Sequence, residues 1–382
     1  MKTNDTLNVF YDNRHVGTLA MTNSHKVAFQ YSEEWLRNGF SISPFSLPPE
    51  KKVFVPSESC FDGLFGVFAD SLPDNWGRLL LSRLLKERNI SMDLITVLDR
   101  LAIVGSSGMG ALEYRPEMSI APKTDEDNLD ELAEQCRSIL NTEYSDKLDE
   151  LFYLGGSSGG ARPKILTEID GTDWIIKFPA HVDSKDAGKM EYDYSVCAKA
   201  CGILMPETKL FLSKNCKGYF GVTRFDRTDE DGKKKKRHML TAAALLELDY
   251  TQPSLDYNSL MKLTKILTGN NTSDMEGMFR IMCFNVFAHN RDDHSKNFSF
   301  LYDEDENQWH LSPAYDLTYS STYYGEHTTT VDGNGKNPGE KELLSVGRKA
   351  GMKEADCMKI IHLIRDCVNE MLEEYIAKGL SH

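Results

Sequence analysis

Residues 284–320 read FNVFAHNRDDHSKNFSFLYDEDENQWHLSPAYDLTYS. His289-Asn290-Arg291-Asp292 is followed five positions after the aspartate by Asn297, and Asp316 lies one short segment further on. Between Asn297 and Asp316, residues 298–302 and 309–311 are apolar-rich runs separated by the polar 303–307. That alternation predicts a β-hairpin with a solvated tip. Such a hairpin folds two oxygen-bearing side chains, Asn297 and Asp316, back towards one place. An amide carbonyl and a carboxylate are the hard donors magnesium prefers. Asp292 beside them has the chemistry of a proton acceptor for a hydroxyl.

The spacing H-x-R-D-x-x-x-x-N is that of a protein-kinase catalytic loop, with Asp316 in the place of the aspartate of the metal-binding Asp-Phe-Gly motif. The chain departs from that pattern in two respects: Tyr315-Asp316-Leu317 stands for Asp-Phe-Gly, and residues 293–296 fill the loop differently. Asp292 is the expected catalytic base, and Asn297 and Asp316 the expected magnesium ligands. His294 and Lys296 are candidates for contact with the γ-phosphate of ATP.

Upstream, residues 154–164 read LGGSSGGARPK. Four glycines in six positions let backbone N–H groups approach a polyphosphate closely. A strand over 165–169, a turn at Gly171-Thr172 and a returning strand over 173–178 carrying Lys177 follow. A glycine-rich loop, a strand and a strand-borne lysine follow one another as they do above ATP in a kinase N-lobe. Gly155, Gly156, Ser157, Ser158, Gly159, Gly160 and Lys177 are therefore expected at the nucleotide phosphates. A helix over 186–200 carries Glu191, a candidate partner for Lys177 or an exposed first-turn acid. The strand over 219–225 is expected to end at an adenine-contacting hinge. An earlier glycine-rich run, 105–110, lacks the Gly-Lys-Ser/Thr ending of a P-loop and precedes a strand, so it reads as a turn.

The remainder bounds the class. A chain of 382 residues with 40% hydrophobic and 27% charged content fits a globular protein of two or three packed units. No apolar run approaches bilayer length and the N-terminus lacks a signal-peptide core, so a cytoplasmic location is expected. The net charge of −14 argues against direct nucleic-acid binding by the chain alone and against an anionic membrane. Eight scattered cysteines without a Cys-x-x-Cys pair read as reduced core residues. The basic run 233–237 beside acidic 229–231 reads as a solvated hairpin. Residues 241–248, 258–267, 275–289 and 354–377 are expected as helices, the last with Met358, Ile361, Ile364, Val368 and Met371 inward.

GGSSGGARPK (155–164), WIIKFP (174–179), VTRFDR (222–227), NRDDHSKN (290–297) and SPAYDL (312–317) together resemble the HipA family. Leu19, Phe29, Trp35 and SLPDNWGR (71–78) resemble that family's N-terminal part, so the likeness spans nearly the whole chain. The resemblance implies a serine/threonine kinase toxin of a toxin–antitoxin pair. Its fold would be α+β and two-lobed, protein-kinase-like, with a β-rich N-terminal subdomain over 1–118, a kinase N-lobe over 119–226 and a helical C-lobe over 227–382. It implies ATP and Mg2+ as cofactors. It further implies an aminoacyl-tRNA synthetase as substrate, a helix-turn-helix antitoxin as partner, and adenine contact by Thr223, Arg224 and Phe225. Ser157 matches the autophosphorylated loop serine, with Ser158 as the alternative. Two other readings remain: a small-molecule kinase, since antibiotic phosphotransferases share the Asp-x-x-x-x-Asn loop, and a kinase-like module that binds the antitoxin without turnover.

Overall fold

The computed structural model describes residues 4–380 apart from 58–59, 119–127, 144, 146, 158–159, 181–182, 231 and 323–324. Contacts divide the chain into one unit of Met1–Gly188, Phe211–Leu240 and Ala244–Glu247, and a second of Lys189–Leu210, Thr241–Ala243 and Leu248–His382.

The first unit begins with a five-stranded antiparallel sheet, order β4-β3-β2-β1-β5. Its strands are β1 (Thr6–Tyr11), β2 (Arg14–Met21), β3 (Val27–Tyr31), β4 (Val53–Phe54) and β5 (Leu112–Arg115). Asp12 and Asn13 both adopt positive φ, the conformation a tight two-residue hairpin turn demands. β6 (Lys164–Ile169) and β7 (Thr172–Lys177) then pair antiparallel, and β7 pairs in turn with the strand Tyr219–Thr223.

Three helices lie over these later strands: Asn75–Glu87, Leu129–Leu140 and Leu148–Gly155. Trp76, Leu80, Leu81, Leu84 and Leu85 recur at helical spacing and join one buried cluster with Cys136, Leu151, Ile165, Trp174 and Ile176. Thus a helix from the N-terminal third and the β6–β7 pair share a single core. The basic run forms the strand Lys233–Lys236, paired with Arg227–Glu230, and Lys234 bridges to Glu168 and Asp173 while Lys236 bridges to Glu113.

Helices dominate the second unit. Tyr257–Leu267 and Thr272–Phe287 start at Asp256 and Asn271, whose side chains accept N–H bonds from their first turns. Thr272–Phe287 is buried nearly all round, with Met278, Phe279, Met282, Cys283 and Phe284 inside, and it packs against the long helix Glu354–Leu380. On that last helix Ile361, Ile364, Val368 and Leu372 point inward, whereas Met371 is exposed: the inward stripe steps on by four from Val368. The helix expected over 241–248 shrinks to Ala242–Leu245. The hairpin forms as read, Ser299–Asp303 against Gln308–Leu311, with Phe300 opposite Leu311.

Candidate active site

In the second unit the catalytic-loop sequence emerges from the end of helix Thr272–Phe287. His289 takes positive φ and turns the chain out of the helix. Burial, with Arg291 and His327 nearby, pushes its imidazole below the ordinary histidine value. Asp292 is exposed and Asp293 buried, although they are neighbours. The Asp293 carboxylate accepts from the Tyr257 hydroxyl at 2.9 Å, His327 Nδ1 at 3.0 Å and the Thr329 N–H at 3.1 Å. Its backbone carbonyl accepts from the Thr329 hydroxyl. Tyr257 in turn accepts from Asn285 Nδ2 at 2.9 Å, and Asn290 Nδ2 donates to Asn285 Oδ1 at 3.0 Å. Asp293 therefore anchors the loop from inside and Asp292 is presented outward.

The hairpin brings the second half of the motif back. Ser320 N–H donates to His289 O at 3.0 Å, Arg291 N–H donates to Ser320 O at 3.3 Å, and Asn290 Nδ2 donates to Asp316 O at 3.4 Å. Tyr315 donates its hydroxyl to Lys296 O at 2.6 Å and also bonds Ser299. Hydrogen bonds on both sides of Asp316 thus fasten residues 289–297 to 315–320. Asp316 itself adopts positive φ, a backbone state uncommon outside glycine.

Asn297 Nδ2 donates to Asp292 O at 2.7 Å, which spends the amide's donor end on the loop and leaves its carbonyl oxygen as the acceptor. That oxygen and the Asp316 carboxylate are hard donors of the kind magnesium takes, an ion that uses one or two protein ligands and completes its shell with water and phosphate. His294 heads the short turn Ser295–Asn297 and its ring lies 5.6 Å from that of Tyr250. The Lys296 ammonium sits 4.7 Å from the centre of the same Tyr250 ring. The two γ-phosphate candidates thus flank one aromatic side chain.

The residues expected at the nucleotide phosphates lie in the first unit. Gly155 closes the helix Leu148–Gly155 and Gly156 donates its N–H to Phe152 O at 2.8 Å, so the loop proper starts later than the glycine pattern indicates. Ser157 is 8% exposed and its hydroxyl donates to Ser107 O at 3.1 Å. Ser158 and Gly159 lie outside the described residues. Lys177 stands directly opposite Lys164 across β6–β7, and its ammonium is 5.7 Å from the centre of the Phe220 ring on the next strand.

Lys164 is the residue that sequence reasoning missed. It is buried, and a Cβ placed on Gly160 would fall 2.4 Å from its Nζ. The strand pairing thus sets two lysines directly opposite one another beside the glycine-rich loop. The signal was available in the strand register: counting back from the Gly171-Thr172 turn pairs 164 with 177.

The expected hinge segment divides. Arg224 donates its backbone N–H to Asp173 O at 2.9 Å, and its guanidinium bonds Asp226 and Gly108 O. Its side chain is therefore a structural strut. Thr223 and Phe225, both half-buried, flank it. Glu191 is buried rather than an exposed first-turn acid.

Residues 7–115 match the HipA N-terminal domain and 156–372 the HipA-like C-terminal domain. The chain belongs to the HipA family. Among HipA-like relatives, the Sinorhizobium fredii (strain NBRC 101917 / NGR234) protein carrying the name "Putative kinase Y4mE" is 28% identical over 351 residues, 83% of this chain and 78% of that one. A second protein of that strain, named alike as Y4dM, is 26% identical over 231 residues, 56% of this chain and 53% of its own. Shewanella oneidensis MR-1 HipA, solved with HipB and its operator DNA, superposes with a TM-score of 0.72 at 19% identity, covering 97% of this chain and 91% of that one. The fold is accordingly that of HipA, kinase-like, with a β-rich N-terminal region and helices following. No helix among the described residues is long and apolar enough to cross a membrane.

Proposed function

We propose that this HipA-family chain is an ATP- and Mg2+-dependent serine/threonine protein kinase that acts as the toxin of a toxin–antitoxin pair. The observation that carries the reading is the fastening of 289–297 to 315–320 by hydrogen bonds, which joins the two segments that bear Asp292, Asn297 and Asp316. In the reaction the substrate hydroxyl oxygen bonds to the γ-phosphorus, the bond from that phosphorus to the β–γ bridging oxygen breaks, and ADP leaves. Asp292, exposed and set on a loop that Asp293 anchors, orients the hydroxyl and takes its proton. Asn297 and Asp316 would hold the magnesium ion, which when bound offsets the charge on the phosphates. Lys177 and Lys164 meet phosphate negative charge, and Thr223 and Phe225 are the hinge residues offered to adenine. His294 and Lys296, on either side of Tyr250, are the proposed γ-phosphate contacts.

The protein substrate proposed is an aminoacyl-tRNA synthetase, and Ser157, or Ser158 beside it, is the autophosphorylation site. Labelled ATP added with magnesium to the purified protein and a cell lysate tests this: one labelled lysate protein and labelled Ser157 are expected. Equal labelling by the Asp292→Asn variant would sink the assignment.

A second reading has its own support. The Shewanella HipA was solved in complex with HipB and operator DNA, so a helix-turn-helix antitoxin is the partner proposed here, with binding possible independently of turnover.

A further inference from the structure

The segment Asp74–Gly77 has no part in the chemistry above, yet its polar groups are directed at the glycine-rich loop. Asp74 occupies the N-cap position of the helix Asn75–Glu87, where an aspartate usually bonds its own first-turn N–H groups. It makes no such cap bond. Its carboxylate instead accepts the Gly160 N–H at 2.8 Å, across 86 residues of sequence. Trp76 donates its backbone N–H to Gly160 O at 3.2 Å, so both polar groups of Gly160 are bound by two residues of one turn. The indole Nε1 of the same Trp76, itself 1% exposed, donates to Lys164 O at 3.1 Å.

Gly77 completes the arrangement on the other shoulder. A Cβ there would lie 2.6 Å from Gly156 O, so the absence of a side chain lets the helix lie directly under the loop's entry. Gly160 adopts φ of +88°, a conformation a side chain strains, which is why the exit shoulder needs glycine. From the opposite direction, Ser107 O accepts the Ser157 hydroxyl. The 105–110 turn that carries Ser107 is fixed by Arg224 and Arg227 on Gly108 O, Arg227 on Gly110 O, and Asp226 on the Gly110 N–H.

We propose that Asp74, Trp76 and Gly77 are positioning residues that clamp both shoulders of the glycine-rich loop, so that the N-terminal region sets the loop's conformation and, through it, nucleotide affinity. The affinity half rests on the phosphate-binding reading given above. The clamp half does not. A loop whose shoulders are fixed before the ligand arrives spends less binding energy on ordering itself.

Hydrogen exchange of amides 155–164 in the full-length, ligand-free protein reads the clamp. Titration with the non-transferring analogue AMP-PNP plus magnesium reads its consequence. Removing a charge-assisted acceptor in Asp74→Ala should speed Gly160 exchange and weaken AMP-PNP binding by about tenfold each. Asp74→Asn keeps an oxygen acceptor and should lie within about threefold of wild type, a rescue that a general loss of stability would not give. Gly77→Ala, which favours the helix but drives a methyl at Pro73 Cβ and Gly156 O, should reproduce the Asp74→Ala phenotype and serves if Asp74→Ala does not fold. Unchanged exchange in both Asp74→Ala and Gly77→Ala overturns the clamp. Tighter AMP-PNP binding by Asp74→Ala also overturns it, because the carboxylate would then be a competitor of phosphate. Wild-type protein that binds no AMP-PNP, with exchange still raised in Asp74→Ala, leaves the clamp standing and removes the kinase reading instead.

Discussion

Two adjacent aspartates show how burial assigns roles at the scale of the residue. Asp292 is exposed and Asp293 is sealed among Tyr257, His327 and Thr329, so substitution should separate chemistry from stability. Asp292→Asn is expected to lower phosphoryl transfer by about 10²–10⁴-fold, the usual share of a positioned base, with the thermal midpoint unmoved. Asp293→Ala is expected to cost about 3 kcal/mol, because three donors lose a buried charged acceptor. Denaturant titration beside an activity assay distinguishes the two, and a large stability loss in Asp292→Asn would reverse the assignment. Ser157 is a second residue-scale case. Its hydroxyl is buried against Ser107 O, so a phosphate there must displace that contact. The added charge of about −1.5 to −2 would also repel the phosphates of the proposed nucleotide. Phosphoserine at 157 should therefore weaken AMP-PNP binding, and undiminished affinity of the modified protein would refute this expectation.

Among the elements, the turn over 105–110 depends on one buried carboxylate. Burial alone would raise the Asp226 pKa, but Arg224, Arg227 and the Gly110 N–H outweigh it and hold the carboxyl at about 2 against an ordinary 3.8. A folded-state pKa below the unfolded one contributes stability that is present above pH 3.8 and is lost as pH falls through about 2. The displacement corresponds to about 2 kcal/mol. Urea unfolding from pH 6 down to pH 2 should show wild type and Asp226→Asn separated by a constant gap above pH 4 that closes by about this amount on acidification. A pH-independent gap would show that Asp226 acts by shape alone.

For the whole molecule the testable quantity is the effect of the active chain on a cell. If the HipA-family chain is a toxin kinase, its expression without an antitoxin should slow growth, and Asp292→Asn should restore it. Growth curves of the two strains at matched protein levels decide this. Equal inhibition by both would favour the reading in which binding, not turnover, is the activity. The first unit's shared core bears on the same scale. Trp76, Leu80 and Leu84 pack with Ile165, Trp174 and Ile176, so cutting the chain near residue 118 should expose this core and leave the remainder insoluble or loosely packed. Recovery of a soluble, cooperatively unfolding 119–382 fragment would contradict that.

What the sequence determined by itself is what is encoded within about ten residues. Asp12-Asn13 specifies a tight turn, the apolar runs around 303–307 specify a hairpin, and the 289–297 spacing is that of a kinase catalytic loop. The order of those motifs also indicated the family and the kinase-like fold. Partner choice at long range was decided only in three dimensions. Nothing local distinguishes Asp293 from Asp292, because their difference lies in what packs over them from residues 257, 327 and 329. Met371 and Leu372 are equally apolar, and the register of the final helix turned only Leu372 inward. Asp74 carries the sequence signature of a helix cap. Only when Gly160 was folded onto it, 86 residues away, did its carboxylate find the donor it binds. Spacing sets the period of an element, but the partner that a buried polar group meets is set by packing, and there an unmet hydrogen bond costs more than a local preference.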